Sequence, residues 1–165
     1  MNRFSVAAWF ILVTNGSAFA QQGEWLNRTD KSALTDKTSV YWLLEAENEV
    51  LNSIGRPEKP KMQVMCIENE TRLIFDLNDY MGSDDITIAY RIDSGAVKKK
   101  TAGVSVTGGV FGFWNGTGVG LLKELQGKSK LVISAAPYSH GPKEGVFNLA
   151  GADVMLADVR KTCGW

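Results

Sequence analysis

Soft metal ligands are nearly missing from this chain: one histidine, His140, and two cysteines, Cys66 and Cys163, in 165 residues. A structural zinc site takes four such ligands, so zinc is excluded as the organiser of the fold. The single histidine also starves a Ser–His hydrolase, and no Gly-x-Ser-x-Gly elbow marks a nucleophile. An excess of one charge is absent too, with 18 basic and 18 acidic residues. Nucleic acid and anionic membrane surfaces recruit a basic excess, so neither is an expected partner. Beyond the N-terminus no apolar run approaches the roughly 20 residues of a transmembrane helix. Internal repeats, low-complexity tracts and long linkers are missing as well.

What is present begins at the N-terminus. Met1-Asn2-Arg3 is followed by a mostly apolar run from Phe4 to Val13, then Asn15-Gly16-Ser17 and Ala18-Phe19-Ala20. A short basic start, an apolar run of about ten residues and an Ala-x-Ala end make a secretory signal. Residues 1–20 are therefore expected to be cleaved, with no lipid-anchor cysteine behind the run. Residues 21–165 form the exported chain, 165 − 20 = 145 residues long. That length suits one domain with a core of its own. Losing Arg3 leaves a net charge near −1.

In an exported chain, two cysteines predict a disulfide between Cys66 and Cys163. They lie 163 − 66 = 97 residues apart. In the chain-entropy account, closing a loop of that size stabilises by about 4.7 kcal/mol. The pair is not Cys-x-x-Cys, so a redox role is not expected.

Period-two alternation dominates the rest. Val40, Trp42, Leu44 and Ala46 form one inward set, Met62, Val64 and Cys66 a second, and Leu73, Phe75 and Leu77 a third. Glu68-Asn69-Glu70 suits a hairpin between the last two, since Asn69 tolerates a left-handed backbone. Ile86 to Ile92 alternates again and ends at an Asp93-Ser94-Gly95 turn. Val104 to Val106, Val110 to Trp114, Leu131 to Ala136 and Val146 to Leu149 complete about seven short strands. Arg56 to Pro60 is expected as a loop inside the domain. Helices are predicted over 117–126 and 152–162. In the second, Met155, Leu156, Val159 and Cys163 share one stripe, with Asp153 early and Arg160 and Lys161 late. The expectation is a mainly β (α+β) domain: an antiparallel β-sandwich or barrel-like sheet with two short helices, the C-terminal one pinned by the disulfide.

Four features are candidates for chemistry. His140 lies in the turn Tyr138-Ser139-His140-Gly141-Pro142 and is expected as an exposed loop residue. Asp76, Asn78, Asp79, Asp84 and Asp85 crowd one segment, but Met81 occupies the sixth position where an EF-hand loop needs glycine. A solvated acidic turn is expected, with neither calcium nor a glycosidase carboxylate pair. Lys98-Lys99-Lys100 reads as a charged strand edge that deters sheet pairing, or as a docking patch for an acidic partner. Between Gly109 and Gly116, three aromatics either line a groove or fill the core, and core filling is expected of Trp114.

The order of these motifs carries a further reading. Gly23-Glu24-Trp25 leads to Glu45-Ala46-Glu47, Pro60 to Cys66, Tyr80 to Asp85, Tyr90-Arg91-Ile92-Asp93 and Trp114-Asn115-Gly116. Pro137-Tyr138, Phe147 to Gly151 and Cys163-Gly164-Trp165 follow. This series resembles the VasI/TagO-type family of small exported proteins linked to bacterial type VI secretion. The resemblance implies an envelope protein of the secretion machine and brings no enzymatic residue with it. The glycosylation triplets at Asn27, Asn69 and Asn115 are then chance matches. The reading is a non-enzymatic periplasmic accessory protein without cofactor or metal, acting on an envelope or secreted protein. A small exported inhibitor or immunity protein that binds a cell-wall enzyme or toxin is the alternative.

Overall fold

In a computed structural model, which describes residues 24–165, the alternating runs become strands. The expected signal over residues 1–20 lies outside the described residues. Val40, Trp42, Leu44 and Ala46 are all buried, as are Met62, Val64, Cys66, Leu73, Phe75 and Leu77. They lie on or beside β2 (Thr38–Glu45), β5 (Lys61–Ile67) and β6 (Glu70–Asp76). The β5–β6 turn has positive φ at both Glu68 (53°) and Asn69 (67°), the pattern of a tight two-residue hairpin.

The remaining strands are β1 (Leu26–Lys31), β3 (Val50–Leu51), β4 (Pro57–Glu58), β7 (Ile86–Ile92), β8 (Lys98–Val104), β9 (Phe111–Phe113), β10 (Lys130–Ala135) and β11 (Lys143–Asn148). One nine-stranded antiparallel sheet runs β1-β2-β5-β6-β9-β8-β7-β10-β11, and β3 and β4 pair separately. The predicted antiparallel class with two helices is present, and the sheet is not closed. It does come back on itself: Phe75 of β6 and Phe147 of β11 pack with ring centroids 6.1 Å apart. Just after β2, the Glu47 N–H donates to the Val146 carbonyl of β11 at 2.7 Å. Where a pure barrel would carry a full ladder, this sheet has a short seam.

One strand appears that no alternation marks, and two expectations are corrected. Leu26–Lys31 forms a strand although its residues are mostly exposed, because β2 supplies its hydrogen-bonding partner. The segment expected as a loop at Arg56 to Pro60 contributes β4 to a two-residue-deep hairpin with β3. The first helix, α1 (Val119–Glu124), is shorter than predicted, since Thr117 is held in a turn by its hydroxyl donating to the Trp114 carbonyl at 2.7 Å.

The second helix, α2 (Ala152–Cys163), buries Met155, Leu156 and Val159 as its stripe predicts, and it packs on β2, β5 and β6. Cys163 is bonded to Cys66 of β5. Gly164 then takes φ 72° and its N–H closes the helix on the Arg160 carbonyl at 2.8 Å. Trp42 of β2 donates its indole N–H to Asp158 at 2.8 Å, and Trp165 donates to Thr71 at 2.8 Å. The C-terminal Cys-Gly-Trp is thus a clasp between helix and sheet.

Candidate functional site

Asp79 gathers the densest chemistry outside the clasp. Asp76 opens its loop by accepting the Asn78 N–H at 2.7 Å, and Asn78 adopts φ 57°. That turn sends Asp79 inward between Leu77 and Met81, leaving its side chain 2 % exposed. A carboxylate at such a depth needs partners. One oxygen, Oδ1, accepts the Tyr80 N–H at 2.7 Å. The other, Oδ2, lies 2.6 Å from Lys143 Nζ and 2.9 Å from His140 Nδ1. Lys143 is thus within ion-pair distance of Oδ2, and the His140 ring lies against the same oxygen. Burial pushes the Asp79 carboxyl up, while Lys143, the Tyr80 N–H and His140 push it down further, and it ends below the usual carboxylate range.

Aromatic packing frames the pair. Tyr80 and Tyr138 meet edge to face at 6.1 Å, and the Tyr138 N–H donates to the Tyr80 carbonyl at 2.9 Å. Lys143 also donates to the Leu51 carbonyl. The loops after β6 and β10, the β3 end and the start of β11 are therefore tied at one end of the sheet. Beside them lies an open cavity of about 360 Å³ lined by Asn52, Glu58, Asp76, Asn78 and Asp79.

The acidic segment is thus divided. Asp79 is buried and paired with Lys143, with His140 beside it, whereas Asp84 and Asp85 are exposed. Among the described residues no group of three or more His, Cys, Asp or Glu side chains converges as metal ligands. His140 is half exposed, as expected of a loop residue, but it is anchored through Asp79. Among the described residues no hydroxyl is hydrogen-bonded to it. Sequence reasoning missed Lys143 and the role of Asp79. The available signal was parity: 77, 79 and 81 share one face, and Leu77 and Met81 are core residues.

The other features fall elsewhere. Phe111 and Phe113 fill the core, but Trp114 is only half-buried, its indole lying over Gly103 where a Cβ would come within 2.9 Å. This corrects the core expectation for Trp114. Lys98–Lys100 starts β8, an interior strand of the sheet rather than its outermost edge. Lys98 pairs with Glu124 at 2.7 Å, and Lys100 sits 5.1 Å from the centre of the Phe113 ring.

Sheet, clasped helix and ion-paired loop end together define a small, disulfide-braced, β-rich domain. The family described as "Type VI secretion system VasI, EvfG, VC_A0118" matches residues 4–165, and the chain belongs to it. Membership associates the chain with type VI secretion, and an intramolecular disulfide fits an exported protein. The fold is similar to that of the crystal structure of invasion associated protein B from Bartonella henselae. The TM-score is 0.54 at 13 % identity, covering 88 % of this chain and 96 % of that one. No curated protein matches the chain.

Proposed function

We propose that this chain is a non-enzymatic periplasmic accessory protein of type VI secretion that acts through protein contacts. The family match over nearly the whole chain carries the reading. The geometry of the buried cluster at Asp79 supports it: Asp79 is spent on Lys143, His140 and the Tyr80 N–H, so the cluster braces loops. The apolar start and Ala18-Phe19-Ala20 support export, and no helix among the described residues is long and apolar enough to cross a membrane.

Deletion of the gene in a strain with an intact secretion machine tests the role. Effector release should fall, and it should recover with the full chain but not with a version lacking residues 1–20. Unchanged release in the deletion strain would refute the accessory role. Complementation with His140→Ala separates contact from catalysis. Release should be restored to near the wild-type level, and a complete loss with a folded variant would point to chemistry at His140.

A further inference from the structure

The sheet carries an unpaired edge inside its own strand order. β8 pairs with β7 along Lys98–Ala102, but on its other side it meets β9 only at Gly103 and Val104. β9 is three residues long, and the chain then leaves for α1. The backbone of β8 from Lys98 to Thr101 therefore has a ladder on one side only. Unpaired strand edges are templates for another strand.

At the Lys98 end of this strand a cleft opens between the β7–β8 hairpin and the C-terminal end of α1. It measures about 460 Å³, within the roughly 300–1,000 Å³ of ordinary ligand sites. Tyr90 and Ile92 contribute its apolar wall, and Lys98, Lys123 and Lys128 its charge. Glu124 is the one acidic residue lining it, and Lys98 already neutralises that carboxylate. Lys123 rests 5.6 Å from the centre of the Trp165 ring, a contact that leaves its charge in place. Among the described residues Lys100, Lys123 and Lys128 have no carboxylate within 4.0 Å. In a chain whose charges balance overall, this face has a local cationic excess.

We infer that the cleft between β8 and α1 docks an extended acidic peptide segment of a partner protein, which adds as a strand to Lys98–Thr101. The inference rests on the protein-contact reading above. Two independent features specify the occupant. Lysines select carboxylates, and the open ladder selects a backbone with free N–H and C=O groups. A free phosphate would satisfy only the first.

The test uses the exported chain and a fluorescent octapeptide of alternating valine and glutamate, read by anisotropy. Binding should weaken at least about tenfold in Lys123→Glu/Lys128→Glu, and it should weaken as salt rises through about 150 mM. The reversed variant should gain binding to the valine–lysine peptide. A peptide N-methylated at alternate residues should bind poorly. Equal binding by the wild type and the double reversal overturns the cleft. Equal binding of the methylated peptide, or its displacement by an equal concentration of inorganic phosphate, overturns strand addition. If the reversal does not fold, Lys123→Gln/Lys128→Gln takes its place with the same expectations. In cells, release lost on deletion but intact in the double reversal overturns the cleft alone. Release intact on deletion overturns the accessory reading itself. The cleft predicts reduced release in the double reversal and wild-type release in Arg56→Glu, on the exposed β3–β4 turn.

Discussion

Single residues at the loop end carry stability that their sequence neighbourhood conceals. Gly108 has φ 72°, and a Cβ there would lie 2.1 Å from the Tyr80 ring and 2.8 Å from the Gly82 carbonyl. Gly55 has a similar φ of 78° with open space around it. Gly55→Ala should therefore cost only the left-handed backbone penalty, about 1 kcal/mol. Gly108→Ala adds displacement of Tyr80 from Tyr138 and should cost at least about 2 kcal/mol, a difference readable in urea unfolding. Asp79 sets a different expectation, one that depends on pH. Its folded carboxyl titrates below the usual range. Its contribution is complete above the unfolded carboxylate pKa of about 3.9, and it fades as pH falls through the lower folded value. Asp79→Asn leaves the mostly buried Lys143 without a counter-charge and should cost about 3 kcal/mol at neutral pH. The gap between wild type and variant should narrow as the wild type is titrated below about pH 4. A gap that stays constant down to pH 2 would show that the ion pair is not its source.

Elements were legible where one face is buried and the other is wet. β2, β5, β6 and α2 follow that rule, and their periods alone placed Cys66 inward and Cys163 at the end of the helical stripe. β1 was not legible because both its faces are largely exposed and its order comes from β2. The β3–β4 hairpin is too short to show a period. The ionic site escaped for a related reason. Asp79 and Lys143 are far apart in the chain, and the sheet brings together the loop after β6 and the first residue of β11. Two long-range elements must form before that pair exists. The clasp on α2 yields an element-scale prediction. Cys66→Ala/Cys163→Ala removes a link between positions 97 apart, and it should lower stability by about 2–5 kcal/mol. Because Trp42–Asp158 and Trp165–Thr71 persist, α2 should stay docked in the folded state. Amide exchange should then quicken first in the last turn of α2, while β5 and β6 keep their protection. Uniform loss of protection across the sheet would mean that the bond governs the whole core.

For the whole molecule, the open sheet raises the question of how its two ends are kept from pairing with other chains. β1 ends the sheet with charge: Arg28 and Asp30 are joined in an exposed ion pair on its surface. Charged side chains on an edge discourage an added strand. β11 is protected differently, by a stitch. Asn48 accepts the Val146 N–H at 2.8 Å and donates to the Glu144 carbonyl at 2.9 Å, beside the Glu47 N–H bond to Val146. One asparagine thus occupies a donor and an acceptor on the edge of β11 and draws the far end of the sheet toward β2. Asn48→Ala should expose both groups. The Val146 amide should exchange faster by an order of magnitude or more, since a lost side-chain acceptor at a partly buried site costs about 1–3 kcal/mol locally. With its edge uncovered, β11 gains a route to edge-to-edge association. The variant should then show a concentration-dependent increase in mass by light scattering at high protein concentration, which Asn48→Asp should reduce by placing charge on the same edge. Wild-type exchange at Val146 in Asn48→Ala would show that the Glu47 bond alone holds the seam.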